Sequence, residues 1–302
     1  MDALLDSAGL IWFIAVWSTA PTIVSLLVLN AVARRFPGRL TRANFLGNRV
    51  PVVGGLALLG GFGLTIAIFA LFGIRGLDEA PFPQFAGAVA GLGLLGLIDD
   101  LHGDRAAGGF RGHIRALAVD RKVTTGLIKL VGGGLVSLWA AGCLAGSSAT
   151  GSHGLWLRIA TVLVDALFIA LAANTFNLLD LRPGRCLSVA SVAALAVTIA
   201  AMVGWPSPSL FIPLLLGCGI LGGSLVVLIP DRLGRIMLGD AGSNAIGAGL
   251  AVCAICVMPH WAVGFGVVLL AAFQMWCEKH SLTAFIESKP ILRGIDRKIG
   301  VR

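Results

Sequence analysis

Three short stretches of this sequence hold most of the residues able to do chemistry. Residues 96–104 read Gly-Leu-Ile-Asp-Asp-Leu-His-Gly-Asp, so Asp99 and Asp100 stand side by side, with Asp104 four residues further on. Adjacent carboxylates repel unless a cation neutralises them. Mg2+, with Mn2+ as an alternative, takes oxygen ligands and commonly holds a substrate phosphate at the same time. A solvated helix end is the plainer reading of the same residues. Asn174, Asn177 and Asp180 follow at a spacing of three, which lines them along one helix ridge where they can address one ligand. Helix–helix hydrogen bonding is the alternative there. The third stretch is Met237-Leu-Gly239-Asp240-Ala-Gly242-Ser243-Asn244. Its glycines permit close backbone approach, and N–H groups at a helix start attract phosphate, although Asp, Ser and Asn also serve as ordinary caps. Lys129 places a cation inside an apolar stretch, where it needs an anionic partner or must snorkel to the interface.

The elements that position these residues are membrane helices. The chain has 302 residues, 57% hydrophobic and only 13% charged, with a mean hydropathy of +0.92. Soluble domains carry about 25% charged residues, so this one cannot face water on all sides. Apolar spans are expected at about 9–33, 51–73, 85–98, 123–146, 155–178, 186–204, 209–230, 244–258 and 261–277, on the order of 20 residues per crossing. This predicts an all-α polytopic bundle of about nine spans forming a single domain over 1–302. The eighth span is the weakest of the nine.

The charge of +8 does not mark a nucleic-acid partner, because the basic residues follow alternate spans instead of forming one soluble face. All 23 Lys and Arg except Arg75, Lys129 and Arg158 fall in loops at about 34–50, 99–122, 179–186 and 231–243, or in the tail at 278–302. The positive-inside rule places those loops and the tail in the cytoplasm and the N-terminus outside, in the cell membrane. Asp2 and Asp6, with no basic residue before Leu10, do not resemble the start of a cleaved signal peptide. Five arginines in 34–50 also suit anionic headgroups. Trp156, Trp205 and Trp261 sit at span ends. The six Cys show no ligand-like clustering. Asp165 and Arg158 form a candidate packing pair within one span.

Taken in order, GLIDD at 96–100, NTFNLLDLRPG at 174–184 and MLGDAGSNAIG at 237–247 resemble the signatures of the polyprenyl-phosphate N-acetylhexosamine-1-phosphate transferases. RVPVVGG at 49–55 is similar to that family's Pro-x-x-Gly-Gly stretch. The resemblance implies transfer of a sugar-1-phosphate from a UDP-sugar to polyprenyl phosphate, with Mg2+ and release of UMP, for cell-envelope glycan synthesis. It implies catalytic roles for Asp99, Asp100 and Asp240, with Asp100 and Asp240 at the metal. Nucleotide-sugar or phosphate contacts fall to Asn174, Asn177, Asp180, Lys129, Gly242, Ser243 and His280. By the same analogy a homodimer is expected. The second motif continues here as Asp180-Leu-Arg182-Pro183-Gly184, where the family usually reads Asp-Gly-x-Asp-Gly. The family's histidine-rich loop is reduced to Glu278-Lys279-His280. A catalytically impaired homologue that binds lipid-linked precursors or scaffolds an envelope complex is therefore the alternative. A transporter using Asp165 or Asp180 as an ion site is a third reading.

Overall fold

A computed structural model describes residues 7–36, 38, 40–71, 80–103, 124–147, 154–204 and 210–301. Asp104 and the basic residues Arg105, Arg111, Arg115, Arg121 and Lys122 lie outside the described residues, as do Asp2, Asp6, Arg39, Arg75, Trp205 and Arg302.

The described chain is almost wholly helical: α1 (Ser7–Arg35), α2 (Gly54–Leu71), α3 (Phe82–His102), α4 (Thr125–Ser147), α5 (Leu155–Leu179), α6 (Arg185–Val203), α7 (Phe211–Arg232), α8 (Gly239–Val257) and α9 (His260–Lys279), then two short helices, α10 (Leu282–Ser288) and α11 (Pro290–Ile299). Each expected span corresponds to one of the first nine. Seven of them, α3 to α9, are long and apolar enough to cross a bilayer. Helices suit that setting because every backbone group is satisfied within the segment. Their outward faces carry exposed Leu27, Leu135, Val192, Ile229 and Val268, the pattern of a bundle whose surroundings are lipid. Between α1 and α2 the arginine-rich loop folds back as a small antiparallel hairpin, β1 (Thr41–Ala43) against β2 (Arg49–Pro51), with Arg42 opposite Val50.

The helix read as weakest in the sequence is the centre of the molecule. α8 packs most extensively on α3 and α5 and also touches α2, α6 and α7. α1 and α4 close the ring through α2 and α7 and through α3 and α5, and α9 lies outside, against α5. Nearly the whole of α8 is buried, including Ala241, Ser243, Asn244, Ala248 and Val252. Its many Gly and Ala residues suit this position, since small residues let the surrounding backbones come close. At Gly242 the α-carbon and backbone nitrogen lie against Gly55 at the start of α2, so a side chain at either position would strike backbone. α8 also begins earlier than hydropathy suggests, at Gly239 in place of 244. The polar stretch 239–244 is its first turn and a half, made helical by partners from other helices.

Candidate active site at the start of the central helix

Gly239 opens α8 with a φ of +78°, a left-handed conformation that glycine adopts without a steric penalty. A Cβ there would sit 2.7 Å from Val52 Cγ1 and 2.8 Å from Asp100 Oδ2. The turn brings the first N–H groups of α8 to a point where the other two motifs end. Gly239 N donates to Asp180 Oδ2 at 3.0 Å. Asp240 N donates to Asp100 Oδ1 at 3.0 Å, and Ala241 N to Asp100 Oδ2 at 2.9 Å. The start of α8 is thus capped by two carboxylates that come from α3 and from the turn after α5. Unpaired N–H groups and the positive end of the helix dipole both favour that arrangement. These three donors are therefore not open to a phosphate, contrary to what the sequence suggests for the Gly-Asp-x-Gly-Ser stretch.

Asp240 projects from the same turn. Its Oδ2 accepts from Lys129 Nζ of α4 at 2.6 Å and from Asn177 Nδ2 of α5 at 3.2 Å. The Asp99 carboxyl lies close enough to that of Asp240 for its charge to act on it. About a quarter of the Asp240 side chain (26%) and 17% of that of Lys129 remain accessible, so a ligand can reach this pair. Asp180 is likewise half-buried. Burial holds its carboxyl well above the usual carboxylate range, and the carboxylates of Asp231 and Asp240 push it the same way, against the opposing bond from Gly239. Behind the acids, the fully buried Ser243 Oγ lies 3.1 Å from the Gly239 carbonyl oxygen and 3.4 Å from Asn177 Oδ1, fixing the amide that faces Asp240.

The motifs found in the sequence thus meet at one point. Asp99, Asp100, Asp180, Asp240, Asn177, Lys129 and Ser243 form it. Gly242 contributes a backbone approach to α2 and no side chain. Two expected residues stand apart. Asn174 Nδ2 donates to Gln274 Oε1 of α9 at 2.8 Å, and Gln274 Nε2 donates in turn to the Leu171 carbonyl at 2.7 Å and to Thr175 Oγ1 at 2.9 Å. His280 stacks on Trp276, with ring centroids 5.1 Å apart, and its Nδ1 lies 3.2 Å from the Trp276 carbonyl oxygen. Neither contact is with the acids. The Asp165–Arg158 pair is also replaced: Asp165 Oδ1 lies 3.9 Å from His260 Nδ1, and Arg158 is exposed.

Of the other contributors, Arg42 had no motif to mark it, whereas Pro51–Gly55 belongs to the RVPVVGG stretch and Arg182 and Gly184 to the second motif. Arg42 on β1 donates from Nη2 to the Asp100 carbonyl oxygen. The Pro51–Gly55 segment is tied to the approach of α8, with Met237 N donating to the Pro51 carbonyl and Gly54 N and Gly55 N to the carbonyls of Met237 and Leu238. Arg182, which departs from the family pattern, lies over the Phe45 ring at 4.5 Å. Gly184, also left-handed at φ +77°, donates to Asp231 Oδ2 at 2.6 Å. The turn 180–185 is therefore a structural corner after Asp180.

Among the described residues no group of three or more His, Cys, Asp or Glu side chains forms a closed metal cage. The chemistry of the donor set nevertheless fits a hard divalent cation. Mg2+ uses one or two carboxylates plus substrate phosphates instead of an all-protein cage, and neighbouring carboxylates repel unless a proton or a cation neutralises them. Asp99 and Asp240 meet that description. Asp100 has both oxygens engaged by backbone N–H groups, a demand that competes with the metal role the family resemblance implies for it.

The family model described as glycosyl transferase family 4 matches residues 82–258, from the first residue of α3 to the residue after α8. No curated protein matches the chain. The family match spans more than half of the sequence and contains all three motifs of the acidic cluster. The chain belongs to glycosyl transferase family 4, the family of polyprenyl-phosphate N-acetylglucosamine-1-phosphate transferases.

Proposed function

We propose that this protein transfers an N-acetylhexosamine-1-phosphate from a UDP-sugar to polyprenyl phosphate at the cytoplasmic face of the cell membrane. The products are polyprenyl-diphosphate-sugar, used for cell-envelope glycans, and UMP. The observation that supports this most is the meeting of Asp99, Asp240, Asn177 and Lys129 around the carboxylate-capped start of α8. An oxygen of the lipid phosphate attacks the β-phosphorus of the donor, and the bond from that phosphorus to the oxygen of UMP breaks. Asp99 and Asp240 would hold Mg2+, which when bound stabilises charge developing on the UMP phosphate.

The chain's own residues position and neutralise. Asp99, whose carboxyl is not engaged in capping, takes the proton of the incoming phosphate or orients its oxygen. Lys129 presents an ammonium to the phosphates at the accessible edge of Asp240. Asn177 is held by Ser243 so that its amide keeps Asp240 oriented. Asp100 and Asp180 maintain the start of α8, and Arg42 fixes the backbone of Asp100. The nucleotide and sugar approach from the side of Asn174, which is exposed beside the half-buried Gln274.

Purified protein in lipid nanodiscs, given polyprenyl phosphate and a panel of UDP-N-acetylhexosamines, should release UMP from at least one donor and stop when Mg2+ is chelated. No release from any donor would defeat the proposal. One second reading has its own support. Pro183 stands where the family has an acid, and His280 is stacked away from the cluster, as in a homologue that binds lipid-linked precursors without turning over. Saturable, Mg2+-independent binding of polyprenyl phosphate in the absence of UMP release would favour it.

A further inference from the structure

The last two helices leave an apolar side exposed, and their one buried residue is an acid. In α11, Asp296 is 7% exposed, whereas Ile291 is 78% and Ile295 51% exposed, with Leu292 beside them. Phe285 of α10 and Val301 are exposed as well. A surface helix of a water-soluble domain shows the reverse pattern, because apolar area is what packing removes from water.

Polar bonds hold the inverted arrangement in place. Arg185 Nε donates to Asp296 Oδ1 at 3.0 Å and Arg185 Nη2 to Asp296 Oδ2 at 3.2 Å, while Arg185 Nη1 reaches Thr283 Oγ1 at 3.3 Å. Arg232 Nη2 donates to the Lys298 carbonyl at 3.1 Å, and Val301 N to the Arg232 carbonyl at 2.9 Å. The anchors are informative about level. Arg185 is the first residue of α6 and Arg232 the last of α7, and α10 begins three residues after α9 ends. All three helices are candidate membrane spans, so α10 and α11 are fastened where three spans terminate, at the height of the lipid headgroups.

The charges select the occupant of the exposed face. Ile291, Ile295 and Ile299 recur every four residues along one side of α11. Arg293 and Arg297 lie on the opposite side, with Lys289 and Lys298 at the two ends. An apolar stripe backed by Lys and Arg is the pattern of a helix lying in a membrane surface, with its apolar side at the headgroup–acyl boundary and its basic side attracted to anionic lipid. We propose that α10 and α11 form an in-plane membrane anchor whose apolar face, centred on Ile291 and Ile295, is covered by the anionic lipid surface of the bilayer that the bundle spans.

The proposal is tested with the full chain in nanodiscs by placing a photocrosslinking residue at Ile291→p-benzoylphenylalanine, Ile295→p-benzoylphenylalanine and, as the opposite-face control, Arg297→p-benzoylphenylalanine. Intact mass should show lipid adducts at the first two positions, on the order of tenfold above the control, in nanodiscs containing phosphatidylglycerol. Replacing Arg293 and Arg297 by Glu should lower the yield at Ile295. Covalent dimers would assign the face to a second copy and overturn the proposal, as would equal labelling at all three positions. The unaltered chain gives a second reading: amide hydrogen exchange over residues 289–299 should be slower with phosphatidylglycerol than with phosphatidylcholine alone. Equal exchange would contradict the role of anionic lipid.

Discussion

At the start of α6 and at the start of α8 this protein withdraws carboxylates from water, and it settles their charge in opposite ways. Asp296 meets Arg185 one to one, through two hydrogen bonds, in a place where both side chains are almost fully covered. Asp99, Asp100, Asp180 and Asp240 gather with Lys129 bonded to Asp240 and Arg42 bonded to the Asp100 backbone, and the remaining partners are backbone N–H groups and one amide. A pair matched one to one fastens the C-terminal helices to the bundle. A cluster with excess negative charge, left partly open at Asp240 and Lys129, is what the proposed phosphoryl transfer with a divalent cation would require. Burial of acids by itself therefore does not mark the functional site; the deficit of compensation does.

The largest effect expected from breaking this contrast is on the matched side. Arg185→Ala leaves Asp296 buried without its cation and should cost about 3–5 kcal/mol of stability, read as lower thermal resistance of the purified protein, with little change in the KM of whatever molecules remain folded. Next comes Asp99→Asn, which removes a carboxylate not used in capping. UMP release should fall by about a hundredfold or more, with thermal stability unchanged or slightly raised because one repelling charge is gone. Asp100→Asn, its immediate neighbour, should behave differently. An amide can accept from only one of the two N–H groups, leaving the other buried and unpaired at a cost of about 1–3 kcal/mol, so stability and turnover should fall together. If Asp99→Asn and Asp100→Asn proved indistinguishable by melting and by turnover, the division between capping and reacting carboxylates would be wrong.

The smallest effect concerns Asp180. Its carboxyl titrates above the ordinary range in the folded protein, so the fold gives up stability as pH rises from the unfolded carboxylate pKa, about 4, through the raised value, and keeps it at lower pH. Asp180→Asn preserves an acceptor for Gly239 N and cannot ionise. In the absence of divalent cation it should melt a few degrees higher than wild type at neutral pH, and the gain should vanish below about pH 4. A gain independent of pH would contradict the stated cause.

Much of this was legible in the sequence. The helices follow from hydropathy, the three polar clusters from their residue types, and their identity as ordered motifs from the family resemblance. The central position of α8 was not, because α8 and the peripheral α9 have the same mean hydropathy, which does not separate a helix buried in protein from one facing lipid. Division of labour between neighbouring acids was also hidden: Asp100 caps a helix start 140 residues away, and the Arg185–Asp296 bond spans 111 residues. Asn174 turns to Gln274 across 100 residues, although its spacing matches Asn177 and Asp180. Local spacing placed these side chains on a ridge, and only the packing of α9 against α5 decided which of them face the acids.

The contrast between the two acidic regions is tested most directly by measuring Mg2+-dependent UMP release from a UDP-N-acetylhexosamine for wild type, Asp240→Asn and Asp296→Asn, each in nanodiscs at equal concentrations of folded protein. Wild type and Asp296→Asn should turn over at comparable rates and lose activity when Mg2+ is chelated. Asp240→Asn should be slower by about two to three orders of magnitude. Turnover of Asp240→Asn at the wild-type rate would contradict the assignment of the start of α8 as the catalytic centre.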